Sequence, residues 1–221
     1  LIEKIIASST KLIPIGEETN IIRDLLKKII NKKELSTQNI KNLQTQVIEK
    51  FNKKNLIKKE YGNVFTEKSL DNFFYISFIK KIFPNSKIIN CKRNPTHSIM
   101  SILKTNLKDV PWGHNLKHLL KYIDIYHATI NNYKKKFPNL IYDLDYESFV
   151  NNPEIESKKL LEFCNLPWDK KCLEFYKRKD IISKTASGLQ IKNPIYKDSG
   201  NKYLPYKKFL HKYRSQYDWF K

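Results

Sequence analysis

The sequence predicts an α/β protein in which helices cover both faces of a parallel sheet. Short, almost continuous β-prone runs at 63–66 and 87–91 alternate with longer helical runs at 70–82 and 95–105. Strands of a parallel sheet are buried on both faces, so they lack the polar alternation of a half-exposed strand. In this class, ligands gather at the carboxyl ends of the strands.

The N-terminal part contributes three predicted helices and one further strand. Residues 1–8 form a helix with no capping residue before it, and the apolar run 12–15 predicts a strand that ends in a turn at Gly16. Residues 17–30 carry acidic side chains first and lysines last, as a helix dipole favours. The lysine-rich run 36–58 is also expected to be helical.

The C-terminal part continues the alternation. It comprises a long helix at 115–137, a strand at 140–144, short helices near 153–164 and 171–177, and a tail rich in lysine and tyrosine. No repeat or linker interrupts the chain, so residues 1–221 are expected to form a single domain.

Composition favours a folded protein with a lysine-rich surface. Hydrophobic residues make up 40% and aromatic residues 13% of the 221 positions, enough for a core. The net charge of +20 suggests nucleic acid as one possible partner. However, lysine, asparagine and isoleucine are abundant together while glycine is scarce, a bias typical of an AT-rich genome. Nucleic acid is therefore not the expected partner, although the charge would attract an anionic cofactor.

Neither a metal site nor a membrane span is expected. Cys91, Cys164 and Cys172 lack CxxC spacing and a histidine cluster, so no disulfide framework, zinc site or other metal is predicted. No apolar run is long enough for a membrane span, and no signal peptide is recognisable. The expected location is the cytoplasm.

The strongest local motif joins a predicted strand to a predicted helix. Arg93 stands at the carboxyl end of the strand 87–91, and Ser101 lies about two helical turns further on. The planar fork of an arginine together with a hydroxyl suits a phosphate monoester. The alternative is a surface arginine before a helix that starts at Pro95.

This motif resembles the 3′-phosphate-binding motif of sulfotransferases that use 3′-phosphoadenylyl sulfate (PAPS). The similarity is strongest to bacterial enzymes linked to tetratricopeptide repeats, and it extends to tyrosylprotein sulfotransferases. Further segments resemble that family in the same order: 1–19, 66–89, 146–154, 163–175 and 185–206. The resemblance implies a three-layer P-loop-type fold with a central parallel sheet. It also implies that the first strand and the 5′-phosphosulfate loop are missing before Leu1, which would leave the chain truncated and inactive as given.

The resemblance implies sulfuryl transfer from PAPS to a hydroxyl or amine acceptor on a peptide, carbohydrate or small molecule. Glu18 or Glu17 would be the base that takes the acceptor proton, with Glu18 preferred. The alternative is that both carboxylates only serve the helix dipole. Lys68 and Ser187 would stabilise charge in the transition state.

The nucleotide-binding residues implied by the resemblance come from three segments. They are Arg93, Ser101, Tyr146, Gln190, Lys192 and Lys202. The pattern is not followed everywhere, because Glu67 stands where relatives have aspartate and Asn20 stands where the tyrosylprotein enzymes have arginine.

Two other classes remain as alternatives. A nucleic-acid-binding module would use the positive charge and the interspersed aromatic residues, but no helix-turn-helix, zinc or RNA-binding signature is present. A P-loop kinase relative would share the architecture, whereas the Arg93 and Ser101 pair and the C-terminal segment favour the sulfotransferase.

Overall fold

Helices dominate the part of the chain that the computed structural model describes, which comprises residues 1–9, 13–28, 36–57, 64–105, 107, 109–178, 192–196, 203 and 205–220. The α-helices are α1 (Ile2–Ala7), α2 (Ile21–Lys27), α3 (Thr37–Lys53), α4 (Ile76–Ile82), α5 (Pro95–Lys104), α6 (Leu116–Lys136), α7 (Tyr146–Asn151), α8 (Pro153–Phe163) and α9 (Lys207–Arg214). The strands are β1 (Ile88–Lys92) and β2 (Ile141–Asp145). Short 3₁₀ helices span Leu70–Tyr75, Pro111–His114, Lys170–Lys177 and Asp218–Phe220.

The chain divides into two compact units. The first unit comprises Leu1–Ile88 and Glu154–Pro194, and the second comprises Ile89–Pro153 and Ile195–Lys221. Each unit has its own hydrophobic core.

The core of the first unit lies among α2, α3 and α4. Leu43, Val47 and Phe51 recur every four residues on α3, so they form one apolar face, and all three are buried. They pack with Leu25 of α2 and Ile79 of α4. At its start, α3 is capped by Ser36, which accepts a hydrogen bond from the Asn39 N–H at 3.2 Å.

Helix α1 belongs to the same unit and packs against the 3₁₀ helix Lys170–Lys177. Ile5 and Ala7 of α1 are fully buried. The Arg178 guanidinium donates to the Ala7 carbonyl oxygen at 2.5 Å, which satisfies a backbone acceptor at the end of α1.

The second unit contains the sheet. Strands β1 and β2 form a small parallel pair, and α5 and α6 make the crossover between them. Its core combines residues from these helices with residues from the end of the chain: Ile99, Met100, Leu119, Leu120, Tyr203, Leu210 and Phe220. The segment predicted as a tail thus contributes a helix, α9, and three core side chains, which corrects that prediction.

A polar network crosses the middle of the sheet. Buried Asn90 of β1 donates to Asp143 of β2 at 2.9 Å, and Asp143 also accepts from Lys92 at 2.6 Å and from Lys134 of α6. The Tyr126 hydroxyl donates to the Asn90 side-chain oxygen. Burial raises the pKa of Asp143, but the hydrogen bonds from Lys134, Lys92 and Asn90 outweigh it and lower the pKa to about 2.

The α/β class predicted from the sequence is confirmed, and the strands predicted at 87–91 and 140–144 are present. Two other predicted strands are wrong in their described parts, because neither 13–15 nor 64–66 is in a strand. Pro14 has no N–H to donate, and the Gly16 N–H is bonded to side chains instead of a neighbouring strand.

The predicted start of the second helix is also corrected. Helix α2 begins at Ile21, after Asn20 in the left-handed region, so the two candidate glutamates lie in the preceding turn and not on the helix. In the residues that the structure describes, no helix combines the length and the apolar character that crossing a membrane requires.

Candidate active-site residues

The turn before α2 lies directly against residues 66–68. A Cβ atom added at Gly16 would come within 1.8 Å of the Thr66 carbonyl oxygen, so only glycine fits at this approach. The Lys68 N–H donates to the Glu17 carbonyl oxygen at 2.7 Å. Glu17 has a φ of 49° and Asn20 a φ of 56°, so the turn changes direction twice within four residues. The two segments are therefore in backbone contact.

Glu3 of α1 fixes the start of this turn. Its Oε1 atom accepts hydrogen bonds from the Gly16 N–H at 3.1 Å and the Glu17 N–H at 2.9 Å. The same oxygen accepts from the Thr66 hydroxyl at 2.7 Å. Because one carboxylate oxygen gathers donors from both segments, it orients the backbone on both sides of the contact.

Glu67 fixes the other end. Its Oε1 accepts from the Thr19 hydroxyl at 3.1 Å and from the Ser69 hydroxyl, and its Oε2 accepts from the Ser69 N–H at 3.1 Å and from the Asn72 side-chain amide. The Ser69 hydroxyl in turn accepts the Asn20 N–H at 2.8 Å.

The same two segments are also joined by an ion pair of Glu18 and Lys68. The Lys68 Nζ atom is 2.8 Å from Glu18 Oε1, and the two side chains are 45% and 51% exposed. An ion pair this exposed stabilises a fold by only about 0–1 kcal/mol, so the surrounding backbone contacts must set its geometry. A carboxylate beside an ammonium group can take up a proton and stabilise a developing negative charge.

A second cluster, in the second unit, lies where the two strands end. Arg93 follows β1, and its guanidinium lies over the Tyr146 ring at 4.9 Å from the ring centre. Tyr146 follows β2 directly, as the first residue of α7. The two residues meet because the carboxyl ends of parallel strands share one edge of the sheet. The aromatic face orients the planar cation and contributes about 0.5–2 kcal/mol.

The turn between β1 and α5 is held by Glu147 and Asn94. The Asn94 N–H donates to both Glu147 carboxylate oxygens, at 3.0 and 3.2 Å. The Asn94 side chain caps α5 by accepting from the His97 N–H at 3.3 Å. Arg93 and Ser101 therefore lie on the strand–turn–helix unit that the sequence predicted, and both are half-buried.

The remaining predicted site residues belong to the stretch 187–202 of the sequence. Ser187, Gln190 and Lys202 lie outside the described residues. Lys192 is described; it is exposed and belongs to the first unit. Within the described ranges, no group of three or more histidine, cysteine, aspartate or glutamate side chains could hold a metal ion.

The sequence alone indicates no role for Glu3, and it marks Glu67 only as a departure from a motif. Glu3 is 63 positions from Thr66 in sequence, and Glu67 is 48 positions from Thr19. No local sequence pattern can predict contacts at such separations. Glu147 was also missed, but a signal existed, because it directly follows Tyr146 in a segment already singled out.

Comparisons with known proteins bear on the family and on the fold. A family model described as "Sulfotransferase family" matches residues 1–170. A protein of Aquifex aeolicus (strain VF5), described as uncharacterized, is 36% identical over 143 residues, which cover 63% of this chain but only 19% of that relative. The solved sulfotransferase domain from the curacin biosynthetic pathway matches with a TM-score of 0.58 and 17% identity, over 96% of this chain and 85% of that one. At that identity the structural likeness bears on the fold alone.

Proposed function

Since the chain belongs to the sulfotransferase family, we propose that it transfers a sulfuryl group from PAPS to a hydroxyl or amine acceptor. The observation that carries this proposal is the Glu18–Lys68 pair, held at 2.8 Å between two segments that are in backbone contact. An acceptor hydroxyl must lose a proton, and the group it attacks must release a negatively charged oxygen. A carboxylate and an ammonium group are the side chains that these two tasks require.

Glu18 is the proposed base. Its carboxylate is half-exposed, so an acceptor hydroxyl could reach it and donate a hydrogen bond before giving up the proton. Glu17 contributes its carbonyl oxygen to the Lys68 N–H, which ties its backbone to the same contact. The structure thus supports Glu18 over Glu17 as the base, through its contact with Lys68.

Lys68 is the proposed electrostatic stabiliser. When bound, PAPS would supply an activated sulfuryl group attached to a phosphate leaving group. The Lys68 ammonium would stabilise the charge that builds up on the departing oxygen, as a preoriented cation does in other group transfers. In the absence of substrate, the Lys68 ammonium donates a hydrogen bond to Glu18 Oε1 at 2.8 Å.

Arg93, Ser101 and Tyr146 are the proposed nucleotide-binding residues of the second unit. The donor chemistry fits a phosphate monoester, because a guanidinium offers two parallel N–H groups to two phosphate oxygens. The Tyr146 ring supports the guanidinium face, which leaves the in-plane N–H groups directed to the sides. The family resemblance alone assigns nucleotide binding to Gln190, Lys192 and Lys202. It likewise assigns transition-state stabilisation to Ser187.

The proposal is tested with PAPS labelled in its sulfuryl group and a panel of alcohol, phenol, carbohydrate and amine acceptors, using the full-length protein. We expect label to move to at least one acceptor while adenosine 3′,5′-bisphosphate forms in equal amount. The Glu18→Gln variant should lose this transfer. Glu174→Gln, which removes an exposed carboxylate paired with Lys177, is the matched control and should retain it. A wild-type protein that binds neither PAPS nor adenosine 3′,5′-bisphosphate would contradict the proposal.

A further inference from the structure

We propose that Glu67 is a positioning residue for this reaction, which fixes the Glu18 carboxylate and the Lys68 ammonium relative to each other without touching the substrate. This inference rests on the proposed function, because it assigns Glu67 a role toward the residues that would act on the substrate. It is carried by the hydrogen bonds around the Glu67 carboxylate.

The carboxylate of Glu67 is saturated with donors. A carboxylate offers about four lone-pair sites on its two oxygens. Glu67 uses them for the Thr19 hydroxyl, the Ser69 hydroxyl, the Ser69 N–H and the Asn72 amide. No site is left for a substrate proton, so Glu67 is excluded as the base although it lies next to Lys68 in sequence.

The four donors come from both sides of the ion pair. Thr19 directly follows Glu18, and Ser69 directly follows Lys68. A second set of bonds extends the connection, because the Ser69 hydroxyl accepts the Asn20 N–H at 2.8 Å and the Thr19 hydroxyl accepts the Ile21 N–H at 3.2 Å. The residues that follow each charged partner are thereby tied to one carboxylate.

The ion pair itself cannot supply this order. Both Glu18 and Lys68 are about half exposed, and each is a long side chain that loses rotamer freedom in the pair. Ser69, in contrast, is only 4% exposed, so its bonds to Glu67 and Asn20 are shielded from water. The shielded hydrogen bonds of Ser69 fix the backbone of both segments, and this backbone sets the positions of Glu18 and Lys68.

The Glu67→Gln variant tests the bond network directly. Glutamine keeps the shape but replaces one acceptor oxygen with an NH₂ group. Either the bonds to the Oε2 position break, or the Thr19 and Ser69 hydroxyls must reverse and accept from the NH₂ group. In both cases every remaining bond loses the charge of the carboxylate and is weaker. We expect amide hydrogen exchange at Asn20 and Ser69 to become at least about tenfold faster. The Ser69 N–H donates to Glu67 directly, and the Asn20 N–H donates to the Ser69 hydroxyl, which Glu67 holds in place. Glu174→Gln should leave these rates unchanged. Unchanged exchange in Glu67→Gln would overturn the inference.

Kinetics of the full-length protein then separate positioning from general structural support. In Glu67→Gln we expect kcat to fall by about 10- to 100-fold, while the dissociation constant of adenosine 3′,5′-bisphosphate stays within about threefold. Equal losses of turnover and nucleotide affinity would show a general folding defect and would overturn the positioning role. If Glu67→Gln does not fold, Ser69→Ala removes only the link between Asn20 and Glu67 and is expected to show the same pattern to a smaller degree.

A double-mutant cycle links Glu67 to the pair. If Glu67 acts through Lys68, then Glu67→Gln should lower kcat by no more than about threefold in a Lys68→Ala background. Additive losses would overturn the inference. Normal turnover in both Glu18→Gln and Lys68→Ala would instead refute the base and the stabiliser of the proposed function. The hydrogen-exchange rates of Glu67→Gln would still show whether Glu67 holds the turn before α2 against residues 66–69.

Discussion

The two candidate clusters are built in opposite ways. In the first unit, Glu18 and Lys68 lie in irregular chain and are held by the side chains of Glu3 and Glu67. In the second unit, Arg93 and Tyr146 stand where two parallel strands pass into helices, so the regular elements on either side place them, and the Glu147 carboxylate adds two hydrogen bonds in the turn. The comparison shows that one protein can orient charged side chains either by a few saturated carboxylates or by its sheet.

This difference predicts how each cluster responds to change. A cluster held by a carboxylate network depends on single acceptor atoms, so the loss of one oxygen should disturb several bonds at once. A cluster at strand ends is supported by the packing of a whole sheet edge, so substitutions there should affect the substituted contact alone.

The largest effect is expected on turnover in the first unit. Glu18→Gln and Lys68→Ala should each lower kcat by roughly 10²–10³-fold, because general base catalysis and charge stabilisation both act in the transition state. Single-turnover measurements in the full-length protein provide the test. If Glu17→Gln is the inactive variant while Glu18→Gln is normal, the base is Glu17 and the role given to the Glu18–Lys68 contact is wrong.

A stability effect is expected at the close backbone approach in the first unit. Gly16→Ala should destabilise the protein by about 3 kcal/mol, because its new Cβ would meet backbone atoms of Thr66 that cannot move aside cheaply. Gly113→Ala is the matched control in the second unit. There the nearest atom is a side-chain methyl of Ile102 at 3.2 Å, so a loss below about 1 kcal/mol is expected. Urea unfolding measures both, and equal losses would contradict the contrast.

The smallest effect concerns Asp143 in the second unit. Its folded pKa of about 2 lies below the ordinary value of 3.8, so its ionised form stabilises the fold above the unfolded pKa. That contribution should be lost as the pH falls from about 4 to about 2. Because the side chain is one-third exposed, solvent screening reduces the effect to about 1 kcal/mol. In Asp143→Asn, stability at neutral pH should be lower and the decline between pH 4 and 2 shallower; an identical pH profile would refute this.

The sequence located Arg93 and Ser101 within the fold better than it located Glu18 and Lys68, for a physical reason. Arg93 and Ser101 are close in sequence and share one strand–turn–helix unit, so local pattern and turn chemistry suffice to place them. The motif order also predicted the family, which the family model confirms.

The first cluster could be predicted only in part. Glu18 and Lys68 were found through resemblance, but nothing local shows that they are in contact across 50 positions. The strands predicted at 12–15 and 63–66 are wrong in their described parts. Apolar β-prone residues do not reveal that the Gly16 N–H, directly after the first run, is bonded to the side chains of Glu3 and Thr66. Helix α2 was expected to include Glu17 because the order of acidic and basic residues fits a helix dipole. That order does not reveal that Asn20 adopts the left-handed region, which delays the helix start to Ile21.

Calorimetric titration with adenosine 3′,5′-bisphosphate tests the division between the two clusters most directly. We predict that Arg93→Ala weakens binding by about 2–4 kcal/mol, because a charge-assisted pair with phosphate is lost, while Glu18→Gln leaves the affinity within about threefold. Unchanged affinity in Arg93→Ala, or a loss of affinity in Glu18→Gln as large as that predicted for Arg93→Ala, would contradict the account.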